Sequence, residues 1–81
     1  MPNCISIVGI LVPDRATRGL EVQEVLTKHG DKILSRCGYP DLNKDDGIIT
    51  LVVDANEDDA LTIVDDLKQI PGVSAASINL R

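Results

Sequence analysis

The side chains here that could do chemistry are few: one histidine, His29, two cysteines, Cys4 and Cys37, and thirteen acidic against eight basic residues. His29 falls on or beside the apolar stripe of an expected helix, near its C-terminus. There the helix dipole favours an imidazole, and the reading is a partly buried structural histidine. No Ser or Cys has an activating His nearby in sequence, and no nucleophile-elbow pattern occurs. No catalytic residue is therefore assigned, and the chain is expected not to be an enzyme. The acids of Asn56-Glu57-Asp58-Asp59 and Asp65-Asp66 resemble a metal cluster, but they stand where a helix start and a solvated helix face favour negative charge. There is no EF-hand spacing, His-rich tract or phosphate loop, so neither metal nor cofactor is expected.

Two stretches are better candidates for a binding site. The connection Val12-Pro13-Asp14-Arg15-Ala16-Thr17-Arg18-Gly19 joins a strand to a helix N-terminus, where backbone N–H groups and the dipole attract anions. Arg15 and Arg18 each add a forked donor suited to a carboxylate or phosphate. The competing reading is a solvated loop with ordinary surface arginines. The second stretch is Arg36-Cys37-Gly38-Tyr39-Pro40, where a glycine and the chain's one aromatic close a strand.

The elements that must hold these residues are legible in the hydrophobic pattern. Cys4 to Val12 is an apolar, β-branched strand with Gly9 inside it; Cys4, Ser6, Val8, Ile10 and Val12 share one face, Ile5, Ile7, Gly9 and Leu11 the other. A helix starting between Asp14 and Arg18 follows, with Val22, Val25, Leu26 and His29 on its stripe, Leu20 near it, and Gly30 as the expected left-handed terminator. Gly19, in or near its first turn, costs roughly 1 kcal/mol relative to Ala and suggests close packing or the approach of another group. Asp31 to Cys37 is a weaker, polar strand ended by Gly38-Tyr39-Pro40, and Asp41 to Gly47 connects it onward with Asp46-Gly47 as turn chemistry. Ile48 to Val53 is a buried strand. Asn56 caps a helix whose Ala60, Ile63, Val64 and Leu67 recur at helical spacing, Ile70-Pro71-Gly72 stops it, and Val73 to Leu80 is the last strand.

The order β-α-β-β-α-β, with right-handed crossovers, gives an α+β fold of ferredoxin-like type. This is a four-stranded antiparallel sheet with two helices on one face, the first and third strands central and the second and fourth at the edges. Eighty-one residues make one domain, 1–81. A net charge of −5 and a single tyrosine disfavour nucleic acid, which needs concentrated cations or stacking rings. No apolar run reaches membrane-spanning length and the N-terminus lacks a signal peptide's pattern, so a cytoplasmic setting is expected. Cys4 and Cys37 read as lying at one end of the sheet with a strand between them. Two strand spacings are too wide for an intrachain disulfide to bridge, while a pair shared between two chains stays open.

Two helices cover only one sheet face, yet the first and third strands offer aliphatic side chains to both. The uncovered face is expected to pack on another copy, as a dimer or tetramer, so that a charge at Val52 or Ile10, whichever faces outward, breaks the assembly. A few singly exposed Val and Ile residues are the plain alternative.

The plan resembles the ACT-like regulatory domains. More closely, the chain is similar to the small stand-alone family of iron-only hydrogenase system regulators. The residues that carry this are ISIVGILV, Arg15, Glu24-Val25-Leu26, His29-Gly30-Asp31, Ile33, Ser35-Arg36-Cys37-Gly38-Tyr39-Pro40, IITLVVDA, Leu67 and Pro71-Gly72-Val73. The resemblance implies an oligomeric regulator with a small-molecule effector and singles out Pro13, Asp14 and Arg15 as ligand-binding positions. Arg36 joins them from the second stretch. The chain departs from the usual ACT pattern, since no Gly directly follows the acidic residue and Gly19 comes later. It also has no helix-turn-helix or ribbon-helix-helix for DNA. The reading is a non-catalytic, homo-oligomeric sensor or regulator. The alternative is a structural or protein-interaction module without a small ligand.

Overall fold

The computed structural model describes residues 4–40 and 45–81. Its elements run β1 (Cys4–Val12), α1 (Arg15–Lys28), a 3₁₀ turn (Gly30–Lys32), β2 (Ile33–Pro40), β3 (Gly47–Ala55), α2 (Glu57–Lys68) and β4 (Ser74–Asn79). The strands form one antiparallel sheet in the order β2-β3-β1-β4. The expected fold is the observed one, with the two most apolar strands central.

Alternation decides what each strand buries. Ser6, Val8, Ile10 and Val12 of β1 and Leu51, Val53 and Ala55 of β3 point under the helices and are buried. They meet Val22 and Leu26 of α1 and Ile63, Val64 and Leu67 of α2 in one core. Asn56 caps α2 as expected, its side chain accepting from the Asp59 N–H at 2.8 Å, with Glu57, Asp58 and Asp59 in the first turn. Ala60, Ile63, Val64 and Leu67 form its buried stripe.

His29 is 7% exposed, and its Nε2 lies 2.8 Å from Asp66 Oδ2 of α2, so the imidazole ties the two helices together. A carboxylate only accepts, so the proton sits on Nε2. The bond from His29, with Lys28 nearby, holds the Asp66 carboxyl below its ordinary value against the opposing pull of burial.

Several sequence expectations are corrected. Gly30 is not left-handed: α1 ends at His29 with φ −105° and runs into the 3₁₀ turn. Positive φ occurs instead at Asp14 (48°) and Gly72 (82°). Gly72 has a second reason to be glycine, because a Cβ there would come within 3.0 Å of Pro13 Cγ. Leu20 lies off the buried stripe, 72% exposed. β2 starts later than expected, at Ile33, carries a bulge between Ile33 and Ser35, and continues through Gly38 to Pro40. Part of the expected connection, residues 41–44, lies outside the described residues. Cys4 and Cys37 do not share an end of the sheet: β1 and β2 run parallel, Cys4 faces Ala55 and Cys37 faces Thr50. Both thiols are free.

The face away from the helices holds Ile7 and Leu11, Ile48 and Val52, and Ala76 and Ile78. Of the two outward candidates, Ile10 is in the core and Val52 is on this open face.

Candidate functional site

Arg15, Gly19 and Gln23 follow one another at every fourth position, which places them on one stripe of α1 beside the buried Val22–Leu26 stripe. That stripe looks across at Gly38, Tyr39 and Pro40 of β2 and Gly47, Ile48 and Ile49 of β3. With Val12 as floor, these residues enclose a groove of about 320 Å³, at the small end of the size range of ligand sites. The two candidate stretches of the sequence, separated by residues 20–35, are thus its opposite walls. Sheet pairing brings them there: Gly38 lies opposite Ile49, and Pro40 opposite Gly47.

Glycines shape this groove. A Cβ on Gly19 or Gly38 would meet nothing within 4 Å, and neither residue has positive φ. Of the two reasons expected for Gly19, close packing is therefore not the one, and the approach of another group is left; both positions face open space. Gly47 differs, since a Cβ there would touch the Arg15 side chain at 3.5 Å.

Arg15 is the residue on which the site is built. Its backbone N–H donates to the Asp45 carbonyl at 2.8 Å, and its Nη1 donates to the Asp46 carbonyl at 3.0 Å. The guanidinium therefore ties α1 to the entry of β3, and its other donors have no partner among the described residues. Asp14 occupies the N-cap position without a side-chain cap. Its N–H donates to Asp46 Oδ1 at 3.2 Å, and its carbonyl accepts from the Thr17 and Arg18 N–H groups at 2.9 and 3.0 Å. The anion-attracting donors at the start of α1 are thus largely taken by the chain's own Asp14, Asp45 and Asp46.

The expected site residues are only partly brought together. Arg15 lines the groove. Pro13 sits against the Gly72 turn, and Asp14 holds the loop behind. Arg36 is two residues along β2, in a separate hollow with Leu26, Gly30, Ile33 and Leu34. Arg18 pairs with Glu21 at 3.1 Å on the surface. Gln23 was not singled out by the sequence reading. The signal for it was the four-residue spacing from Arg15 through Gly19. Among the described residues, no group of three or more His, Cys, Asp or Glu is placed to hold a metal ion, and no helix is long and apolar enough to cross a membrane.

Residues 4–77 match the profile of the TM1266-like family, described as "Iron-only hydrogenase system regulator, putative". The solved structure of the uncharacterized protein TM1266 from Thermotoga maritima superposes with a TM-score of 0.91 at 32% identity, covering 98% of this chain and 99% of that one. A protein of unknown function from Galdieria sulphuraria matches with a TM-score of 0.72 at 18% identity, covering 98% of this chain and 46% of that one. The apo form of CPII, a nitrogen regulatory PII-like protein from Thiomonas intermedia K12, gives a TM-score of 0.56 at 12% identity, over 95% and 91% of the two chains. These last two likenesses are likenesses of fold. A search of curated proteins finds no match.

Proposed function

The chain belongs to the TM1266-like family, described as "Iron-only hydrogenase system regulator, putative", and from that membership we propose that it is a non-catalytic regulatory domain that senses a small molecule and works as a homo-oligomer. The observation that carries the sensing part is the groove under Arg15, whose walls come from the two candidate stretches. Its lining is mostly aliphatic and aromatic, with Arg15 and Gln23 as the polar groups. That chemistry suits a small molecule with an apolar body and one carboxylate, the carboxylate on the guanidinium and the body between Gly19 and Gly38. Binding there would bear on the Arg15–Asp46 tie, and so on how α1 meets the start of β3.

Thermal unfolding against a panel of aliphatic and aromatic carboxylates, with inorganic anions and divalent metals as controls, tests this. A ligand at a hundred times its Kd adds about 2.7 kcal/mol, a shift of more than about 10 °C in a domain of this size. Arg15→Ala should abolish the shift while the protein stays folded. A carboxylate that shifts wild type and Arg15→Ala equally contradicts the assignment of Arg15, and a panel with no response contradicts the sensing reading.

One observation favours the alternative, an interaction module without a small ligand. The open sheet face exposes Leu11, Ile48 and Ile78, and Gly9 leaves a shallow depression among them. Soluble monomers rarely keep such a contiguous apolar patch uncovered. On this reading, as on the first, the face packs on another copy to give a dimer or tetramer.

A further inference from the structure

The two edges of the sheet are built differently. β2 carries the devices that keep a free edge from pairing: a bulge at Ile33–Ser35, the charge of Arg36, and Pro40. β4, with sequence SAASIN, has no charge, no proline and no bulge. Its register with β1 is unbroken from Leu11–Ser74 to Ser6–Asn79. We infer that β4 is an assembly strand, which pairs antiparallel with β4 of a second copy of this chain about a two-fold axis at Ser77. This surface is separate from the open face of the proposed function and does not depend on the groove.

The ladder fixes which groups are available. Just beyond β4, the Leu80 N–H donates to the Ile5 carbonyl at 2.7 Å. Antiparallel hydrogen bonding alternates, so Ile78, Ala76 and Ser74 also turn their backbone groups towards β1. The N–H and C=O groups of Ala75, Ser77 and Asn79 then point to the open edge, where no described strand meets them. A two-fold axis perpendicular to the sheet keeps each copy's helices on the same side. Centred on Ser77, it sets Ser77 opposite its own counterpart and Ala75 opposite the second copy's Asn79, so all three outward residues pair. Centred one residue earlier, it would leave Asn79 unpaired. The Asn79 side chain is already held by the Ser6 hydroxyl, which donates to its Oδ1 at 2.7 Å.

α2 supplies the argument for a second copy over a foreign strand. It packs above β4, and its Asp66 flank faces α1 through His29. On the opposite flank, towards the open edge, Glu57, Leu61 and Lys68 form one stripe at spacings of four and seven. Leu61 is a large aliphatic side chain, 49% exposed. Because α2 runs antiparallel to β4, the same two-fold axis lays the two α2 helices side by side in opposite directions. Leu61 then falls near the axis, and the Glu57 end of each helix lies beside the Lys68 end of the other. One symmetry operation satisfies the strand, the apolar residue and the charges together.

The test compares wild type with Leu61→Lys, a surface change, and Ser77→Pro, which removes an N–H that the strand alternation turns away from β1 and that meets no strand among the described residues. Sedimentation gives the mass of each, and amide hydrogen exchange gives the protection of Ser77. The expected result is a wild-type mass of two or four times 8.7 kDa that Leu61→Lys halves at unchanged circular dichroism. The Ser77 amide should be protected in wild type and exchange freely in Leu61→Lys; if Ser77→Pro folds, it should halve the mass as well. A wild-type Ser77 amide that exchanges freely, or an assembly whose mass Leu61→Lys leaves intact, overturns the inference. A wild-type monomer at all concentrations also overturns it, and leaves a strand from another protein as the occupant of the edge.

Discussion

Gly19→Ala should make this protein more stable and a poorer binder at once, and the two effects have separate causes. Gly19 is the fifth residue of α1, inside the helix rather than at either cap. Alanine is favoured over glycine at such a position by about 0.8–1.0 kcal/mol. Nothing in the structure offsets that gain: the backbone is not left-handed, and an added Cβ meets no atom within 4 Å. At about 4–8 °C per kcal/mol for a domain of this size, the melting temperature should rise by several degrees. The new methyl stands in the groove, where it takes space from a bound ligand's apolar body. Gly19→Leu should keep most of the helical gain and close much of the groove. The assay is thermal unfolding of all three proteins, alone and with the carboxylate that gives the largest wild-type shift. A destabilised Gly19→Ala protein would refute the statement that this position faces open space. A Gly19→Leu protein that binds as tightly as wild type would refute the groove as the site.

Four further outcomes follow from the geometry. Asn56→Ala removes the acceptor for the Asp59 N–H and should cost about 1 kcal/mol, read by urea unfolding. The Asp66 carboxyl is held below its ordinary value of 3.8, so the stability it contributes is present above that pH and is lost as pH falls through the lower folded value. Urea midpoints measured across the acid range should show Asp66→Asn less sensitive to pH than wild type there; equal sensitivity refutes the tie. Val52→Lys puts a charge on the open face and should lower the assembly mass in sedimentation, whereas a change at Ile10 should unfold the chain. Leu67→Ala opens a cavity in the core and should cost about 2–5 kcal/mol in the same urea assay.

Much of this fold could be read from its residues because burial and chain direction left local marks. β-Branched runs marked the central strands, and the Asn56 cap with its trailing acids marked α2. What escaped depends on long-range geometry. Gly30 has the right identity for a left-handed terminator, but the chain turns through a 3₁₀ segment that needs no positive φ, and the residues at positive φ are Asp14 and Gly72. Cys4 and Cys37 were placed at one end of the sheet because the relative direction of β1 and β2 was overlooked: both pair antiparallel with β3, so they run parallel. Both site-bearing stretches were visible, but not that they face each other, since their approach is made by β2–β3 register and the lie of α1. Arg36 was close in sequence to the groove and lies outside it: it is on the same side of β2 as Gly38, but one step further back along the strand, where the hollow is lined by Leu26, Gly30, Ile33 and Leu34. The tie of Arg15 to Asp46 left no local pattern.

The proposed ligand is a small carboxylate-bearing molecule between Gly19 and Gly38 under Arg15. The measurement that tests it most directly is a titration of the ¹⁵N-labelled protein, followed by amide shifts, with the carboxylate that raises the melting temperature most. Binding there should give concentration-dependent shifts concentrated at Gly19, Gln23, Gly38 and Gly47, and Arg15→Ala should lose them. Shifts centred instead on the hollow beside Arg36, or a spectrum unchanged at saturating ligand, would contradict it.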